Sequence, residues 1–469
     1  MTDTATVTGG WDQLLGPRYL RTSILLAGGV ALYATNEFLT TSLLPNTIAE
    51  IGGSRLYAWV TTLYLVGSVV AAAMVNPMLL RVGARSSYLT GLAVFGVSSL
   101  VCAAAPNMQV LIAGRALQGV AGGLLAGLGY AVINSALPRV LWTRGSALVS
   151  AMWGVATVVG PTTGGLFAQL GLWRWAFVTM AALTGLMAML VPVALTRLEP
   201  SAAMPSRKVP VRSLLLIGAA VLAVSVAQIP RSTLATFALL AAGVALVAVF
   251  VVVDWRTHAA ILPPSVFRPG PLKWIYLTMG ALMGAAMVNT YVPLFGQRLA
   301  HLTPIAAGFL GAALALGWTV SEILSASLEN PRAIARVIVA APIVAASGLA
   351  LAALARRGDT SPWTAALWAV ALVVAGTGIG MAWPHLSARA MASVDDPAEG
   401  GAASAAINTV QLIAAAIAAG LAGVVVNTAK GGDGMAAHWL FTVFTALSAA
   451  GVAVSYGATR GVRGAQAVA

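Results

Sequence analysis

Long apolar runs alternate with short polar segments along the whole chain. A helix needs about 20 mostly apolar residues to cross the roughly 30 Å hydrocarbon core of a bilayer. Spans are expected to be helical because hydrocarbon offers no partner to an exposed backbone N–H or C=O group. The pattern predicts fourteen spans, near residues 24–45, 57–79, 88–105, 108–136, 147–170, 176–196, 212–229, 233–253, 274–296, 304–327, 335–355, 363–384, 401–427 and 437–458.

Basic residues are distributed unevenly over the loops between these runs. If the N-terminus is cytoplasmic, about two thirds of the Lys and Arg residues fall on the cytoplasmic side, as the positive-inside rule requires. An even number of spans then places both termini in the cytoplasm. The two longest loops divide the chain into a six-helix bundle (1–200), two inserted spans with flanking loops (201–266) and a second six-helix bundle (267–469). The predicted fold class is therefore an all-α integral membrane protein.

Composition agrees with this prediction and excludes several other classes. The chain is 59% hydrophobic and 8% charged, whereas a soluble domain carries about 25% charged residues. The net charge of +13 does not indicate nucleic-acid binding, because the basic residues occur singly or in pairs and form no clustered stripe. The loops leave no room for a soluble catalytic domain, and no nucleotide-binding loop, zinc motif or nucleophile elbow occurs. We therefore expect no enzyme activity, no metal and no cofactor.

Three motifs occur in order along the chain, and their residue types are unusual for membrane helices. A polar motif opens the fourth span, a Gly-Pro motif lies in the fifth, and an aromatic and Pro segment begins the second bundle. They read Arg115-Ala-Leu-Gln118-Gly119, Gly160-Pro161-Thr-Thr-Gly164-Gly165 followed by Trp173-Arg174-Trp175, and Tyr291-Val-Pro293-Leu-Phe-Gly-Gln297.

By these motifs the chain resembles, over nearly its whole length, the fourteen-helix drug:proton antiporters of the major facilitator superfamily. The resemblance implies two bundles that rock around a midplane site, with Arg115 in proton coupling. It implies gating roles for the Gly-Pro motif and for the loop after the second span, that is, for Gly160, Pro161, Gly164, Gly165, Arg81, Gly83 and Arg85. That loop departs from the family pattern, since Asn76 and Leu80 stand where glycine and aspartate are usual.

Glu37 and Glu322 are the only Asp or Glu residues predicted within spans, and Arg115 is the Lys or Arg residue predicted well inside one. Charged groups inside a membrane are costly and usually face a cavity or a partner. Helix geometry places Glu37 and Arg115 at the same depth, each about 10 Å from the outer edge. We therefore expect a Glu37–Arg115 contact that serves proton coupling, with a fixed structural ion pair as the alternative. Glu322, near the cytoplasmic end of its span, is a candidate second proton site, a contact for a cationic substrate or a partner of Arg332 or Arg336.

Polar and aromatic residues in several spans are candidates for a substrate site. Tyr33, Asn36 and Thr40 recur at helical spacing beside Glu37 and are expected to face a water-filled cavity, or else to bond between helices. Large aromatic groups with a few polar ones suit a loose apolar ligand, although packing roles explain them equally well. The full set is Tyr33, Asn36, Thr40, Gln118, Trp153, Asn289, Trp318, Asn408 and Gln411.

The expected function is proton-coupled efflux of small hydrophobic or cationic amphipathic compounds across a bacterial cytoplasmic (inner) membrane. The expected partners are the substrate, protons and membrane lipids, with the chain acting as a monomer. A dedicated exporter of a lipid or metabolite and a proton-linked importer remain alternatives. We expect His385, Arg389, Asp395, Asp396 and Glu399 to form a solvated cytoplasmic loop. The two inserted spans are expected to act as a spacer or as a lipid-facing wall between the bundles.

Overall fold

The computed structural model describes residues 11–138, 141–195, 210–229, 232–257, 261–354, 362–394 and 400–466, and every regular element within them is helical. Short 3₁₀ segments occupy Ser54–Leu56, Pro264–Phe267 and Met287–Thr290. The α-helices are α1 (Trp11–Leu14), α2 (Leu20–Ile51), α3 (Tyr57–Ala103), α4 (Met108–Ala131), α5 (Ile133–Ala136), α6 (Trp142–Gln169), α7 (Trp173–Ala194), α8 (Val211–Val226), α9 (Thr233–Arg256), α10 (Leu272–Ala286), α11 (Val292–Leu299), α12 (Pro304–Ser325), α13 (Pro331–Ala353), α14 (Pro362–Ala392), α15 (Gly400–Thr428) and α16 (Gly432–Gln466).

The predicted spans coincide with these helices. Among the described residues, eleven helical stretches are long and apolar enough to cross a membrane, so the chain is a multi-pass membrane protein. The predicted first, fifth and seventh spans fall on α2, α6 and α8, which lie outside that set. Asp395, Asp396 and Glu399 lie outside the described residues, as does the predicted boundary at residue 200.

Helix α3 contains two predicted spans joined by a tight turn at Gly83. Its 47 residues would extend about 70 Å if straight. Instead, Gly53 and Met108, which flank α3, are packed together, so the helix must double back. Gly83 makes the reversal, with φ 77° and ψ 168°, a conformation that side-chain-bearing residues rarely adopt.

The helices form two bundles joined at one end. In the first bundle α2, α3, α4, α6 and α7 pack on one another, and in the second α10 and α12–α16 do so. Contacts between the bundles run from α6 to α12 and from α3 to α15. Helix α8 contacts both α15 and α3, whereas α9 packs mainly on α8.

We call the two ends of the assembly the Glu50 end and the Arg81 end. At the Glu50 end, Trp173 Nε1 donates to Glu50 Oε2 over 2.6 Å, and Arg174 forms an ion pair with Glu50. The bundles meet at this end. A Cβ on Gly165 of α6 would lie 2.6 Å from Ile305 Cα at the start of α12.

Within the second bundle, α12 and α14 approach closely through glycines on both helices. A Cβ on Gly317 would lie 2.1 Å from Val373 O, and one on Gly376 would lie 1.9 Å from Leu314 O. Small residues permit this close approach, which drives helix association in membranes, where apolar burial from water contributes little.

Gly376→Ala is expected to lower the apparent melting temperature by several degrees, because overpacking costs typically 1–3 kcal/mol. Gly185→Ala is the matched control, since a Cβ at Gly185 meets nothing within 4 Å. Thermal unfolding of purified protein followed by size-exclusion chromatography measures both. Equal shifts in the two variants would contradict the packing argument.

Candidate functional site

Arg115 on α4 is the central charged group of the first bundle. The residue is 1% exposed, and its Nη1 donates to Gln118 Oε1 over 2.9 Å. The guanidinium lies over the ring of Tyr64 on α3, 3.9 Å from the ring centroid. A hydrogen bond from a charged donor and a cation–π contact both compensate for lost hydration. The cluster therefore holds a charge inside an apolar bundle without an acidic partner.

Gln118 connects Arg115 to the neighbouring helix. Its Nε2 donates to Ser99 Oγ over 2.8 Å, and Ser99 Oγ in turn donates to Phe95 O over 2.7 Å. Cys102 Sγ lies 3.5 Å from Gln118 Oε1, so the buried cysteine belongs to this network. The role of Ser99 was not predicted from the sequence, because a serine within an apolar run does not indicate which residue it will bond.

Glycines of α4 bring α3 and α2 close enough to form the cluster. A Cβ on Gly119 would lie 2.0 Å from Tyr64 O, and one on Gly122 would lie 2.6 Å from Tyr33 Cδ2. The rings of Tyr33 and Tyr64 stack at a centroid distance of 5.4 Å. Tyr64 Oη donates to Tyr33 O over 3.0 Å. The glycine that follows Gln118 in the motif thus positions Tyr64 beneath Arg115.

The expected contact between Glu37 and Arg115 does not form. Arg115 directs its donor to Gln118, and within the described part of the chain neither residue takes part in an ion pair. Glu37 is half-buried on α2. The prediction of equal depth fixes only height along the membrane normal, whereas contact also depends on how each helix is rotated.

The polar stripe of α2 does not face water in this structure, contrary to expectation. Tyr33, Asn36 and Thr40 are 3%, 0% and 2% exposed. Thr40 Oγ1 donates to Asn36 O of its own helix over 2.7 Å, and both amide atoms of Asn36 are buried without a hydrogen-bond partner. The close approach of α2, α3 and α4 seals this face between helices.

Trp153 on α6 borders the same cluster. Its ring meets Tyr33 edge-on, at 5.7 Å between centroids and an interplanar angle of 81°. Trp153 is half-buried, and a Cβ on the adjacent Gly154 would meet nothing within 4 Å. This side of α6 is therefore open beside the aromatic group.

The second bundle carries its own carboxylate with aromatic neighbours. Trp318 Nε1 donates to Glu322 Oε2 over 3.0 Å, and the ring of Trp383 on α14 lies 5.0 Å from that of Trp318. Glu322 is half-buried and pairs with Trp318 rather than with Arg332 or Arg336. Trp383 was not singled out by sequence, because its approach to Trp318 depends on the packing of α12 on α14.

His385 is placed differently from the prediction of a solvated loop. It lies on α14, 7% exposed, with Nε2 2.8 Å from Ser325 Oγ of α12. Helix α14 continues past the predicted end of its span at residue 384 to Ala392. The polar residues that suggested a loop therefore lie partly within a helix.

The remaining substrate candidates lie apart from Arg115 along the chain and on other helices. Asn289 is in the 3₁₀ segment between α10 and α11, with its Oδ1 buried and without a hydrogen-bond partner. Asn408 is exposed and Gln411 half-buried on α15, a helix that packs on α3, α8 and α10.

The Gly-Pro motif lies where α6 meets α2. A Cβ on Gly160 would lie 2.4 Å from Phe38 Cβ, and one on Gly164 would lie 2.4 Å from Leu39 O. Pro161 is inside α6, and a Cβ on Gly308 of α12 would lie 3.1 Å from Pro161 Cβ. The motif thus contacts both bundles. At the other end Arg81 is exposed and Arg85 half-buried beside the Gly83 turn.

Comparison with known proteins identifies relatives over the whole chain. The profile described as Major Facilitator Superfamily matches residues 26–419. A protein of Mycobacterium tuberculosis named "Probable multidrug-efflux transporter" is 71% identical over 464 residues, covering 98% of each chain. A puromycin resistance protein of Streptomyces alboniger is 30% identical over 297 residues, which cover 59% of this chain and 56% of that protein.

Solved structures with little sequence identity share the fold. The nucleoside transporter NupG is similar at a TM-score of 0.63 with 15% identity, covering 93% of this chain and 98% of that one. A POT family transporter bound to 5-aminolevulinic acid gives a TM-score of 0.65 with 12% identity, covering 92% and 94%. At such identities the likeness concerns the fold alone.

Gln118→Leu is expected to destabilise the protein by about 1.5–3 kcal/mol, because it leaves the buried Arg115 guanidinium without a hydrogen-bond acceptor. Thr41→Ala is the control, since Thr41 Oγ1 bonds only to Glu37 O of its own helix. Thermal unfolding in detergent compares the two. Equal stability of Gln118→Leu and the parent protein would show that Gln118 does not hold the charge.

Proposed function

The chain belongs to the Major Facilitator Superfamily, and from that premise we propose that it exports small hydrophobic and cationic amphipathic compounds in exchange for protons. The name of the 71% identical relative, a probable multidrug-efflux transporter, supports export of several compounds by this chain. The chemistry proposed is transport and not catalysis, with the proton gradient as the energy source.

The observation that carries the proposal is two charged residues inside an apolar bundle, among the described residues, that form no ion pair with each other. Arg115 is buried with a neutral amide and an aromatic ring as its partners, while Glu37 is half-buried without an ion-pair partner. Protonation of Glu37 removes a charge from the bundle interior, where a charge is costly. Gain or loss of a proton therefore changes the relative stability of conformations that expose or bury this carboxyl group.

For the topology we propose fourteen spans with both termini in the cytoplasm, as in the fourteen-helix branch of the family. Helices α2, α6 and α8 supply the three spans beyond the eleven identified by length and hydropathy. The bundles are residues 1–200 and 267–469, with 201–266 as the insert. The bacterial cytoplasmic membrane is the proposed location, and the monomer the proposed functional unit.

In this topology the Glu50 end faces the outside, and contact of the bundles at this end is expected of a conformation that opens towards the cytoplasm. The bundles touch at the Glu50 end, where Gly165 meets Ile305 and Gly308 meets Ser42. Substrate enters from the Arg81 end, and separation of the glycine contacts opens the outer side. This is the alternating-access scheme of bundles that rock about a central site.

Glu322 with Trp318 and Trp383 is suited to bind the positive part of a cationic substrate. Indole faces attract organic cations, and Trp318 occupies only one carboxylate oxygen of Glu322 with its hydrogen bond. The cluster lies towards the Arg81 end of α12, on the side proposed to be open.

Glu37→Gln is expected to reduce proton-driven efflux at least tenfold, because an amide cannot take up a proton. Transport of ethidium by proteoliposomes under an imposed pH gradient measures the effect. Asp433→Asn is the control, since Asp433 pairs with Arg298 at the Glu50 end, away from Glu37 and Arg115. Undiminished proton-driven efflux by Glu37→Gln would exclude Glu37 as the proton carrier.

Glu322→Gln is expected to raise the KM for cationic compounds several-fold and to leave neutral ones largely unaffected, because the ion pair with the substrate is lost. The KM for the cationic compounds ethidium and puromycin is measured, and the KM for a neutral dye that the parent protein exports provides the comparison. Glu329→Gln, in the exposed segment after α12, controls for loss of an acid near the same end. An equal loss for neutral and cationic compounds would instead assign Glu322 to proton coupling.

A further inference from the structure

The inserted helix α8 lies in the seam between the two bundles. A narrow apolar crevice is bordered by Val66 and Val69 of α3, Leu214 and Ile217 of α8, and Ile413 of α15. Helix α8 therefore covers the seam on the α3–α15 side. The contacts between the bundles through α6 and α12 lie at a different seam.

The insert is tied firmly to the second bundle near the Glu50 end. A Cβ on Gly420 of α15 would lie 2.9 Å from Ser225 Oγ, and one on Gly423 would lie 2.3 Å from Gln228 Oε1. Such close approach leaves α8 and α15 little freedom to slide past one another.

A buried carboxylate holds the insert together at the Arg81 end. Asp254, at the end of α9, is 0% exposed and accepts from Ser213 Oγ of α8 over 2.7 Å. It also accepts from the backbone N–H groups of Ile261 and Leu262, each over 2.9 Å. These two residues lie in the segment that leads into α10, so α8, α9 and this connecting segment are held together.

The polar contact at this seam involves the side-chain amides of Asn427 and Gln228. Asn427 Nδ2, in the last turn of α15, donates to Arg55 O over 2.9 Å and to Gln228 Oε1 over 3.1 Å. Gln228, just after α8, is 3% exposed and donates from Nε2 to Ser225 O over 2.8 Å. Asn427 of the second bundle thus donates to a backbone carbonyl of the first bundle, and Gln228 of the insert accepts a second bond from the same Nδ2 group.

We propose that α8 and α9 move as one body with the second bundle, and that Asn427, held in position by Gln228, forms a releasable clasp on Arg55 O that holds the Glu50 end shut. The valine contacts with α3 can slide because they are not directional, whereas the bond to Arg55 O must break when the bundles separate. The clasp rests on the proposed alternating access and adds a function for the insert, which sequence alone had presented only as a spacer.

The rigid-body part is tested with pairs of spin labels on three exposed positions at the Glu50 end. Ser54→Cys reports the first bundle, Ser232→Cys the insert and Lys430→Cys the second bundle, with the buried Cys102 left in place as a labelling control. In nanodiscs, with pH and ethidium varied, the Ser54–Lys430 and Ser54–Ser232 distances should lengthen together while Ser232–Lys430 stays constant. Lengthening of Ser232–Lys430 with a constant Ser54–Ser232 distance would overturn the inference.

The clasp itself is tested with Asn427→Asp, which keeps the shape of the side chain and removes the Nδ2 donor. We expect a several-fold larger population with a long Ser54–Lys430 distance. Asn46→Asp is the matched control, because Asn46 Nδ2 donates to Ala168 O within the first bundle at the same end. Gln228→Ala is the second variant, and an effect no greater than that of Asn46→Asp in both variants would exclude the clasp.

The outcomes separate the clasp from the transport proposal. If the parent protein exports ethidium and none of the three distances changes, the clasp is wrong and the proposed function stands. If the distances change as expected and no proton-driven export of any tested compound occurs, the proposed function is wrong and the clasp stands.

Discussion

The burial of the Arg115 charge within the first bundle is the constraint on which the site depends. Hydrocarbon cannot solvate a guanidinium group, so neighbouring helices must supply the compensation. Gln118 accepts its hydrogen bond, Ser99 fixes the amide of Gln118, and the ring of Tyr64 lies beneath the charge. Each of these partners requires α3 and α4 to lie at a definite distance and rotation. The buried charge of Arg115 therefore requires this packing of α3 and α4, and the packing in turn supplies the partners of the charge.

Glycines make this arrangement and the contact between the bundles possible. Gly119 and Gly122 bring α4 against Tyr64 and Tyr33, while Gly165 and Gly308 let α6 and α12 touch at the Glu50 end. Membrane helices gain little from burying apolar surface against one another, so close packing and polar contacts provide much of their association. A protein that changes shape needs contacts that are close but not strongly bonded, and glycine contacts of this kind can separate without breaking an ion pair.

The insert adds an asymmetry between the two seams. One seam is closed by packing of α6 and α2 on α12, whereas the other is covered by α8 and joined by the hydrogen bond from Asn427 to Arg55 O. Asp254 binds the insert together with one charged group that accepts three hydrogen bonds. In the proposed mechanism the insert stays attached to the second bundle, and the bond to Arg55 O is the contact that breaks.

The sequence alone determined the class of protein, the positions of the helices and the residues with unusual chemistry. Apolar length and charge bias are local properties, so they revealed the spans, and the rarity of embedded charges singled out Glu37, Arg115 and Glu322. Only the tertiary structure decided which side chains are in contact. Arg115 pairs with Gln118 instead of Glu37, His385 lies within a helix, and Trp383 joins Trp318 because α14 packs on α12. Depth along a helix follows from residue number, but rotation about its axis and distance to a neighbour depend on all the helices packed around it.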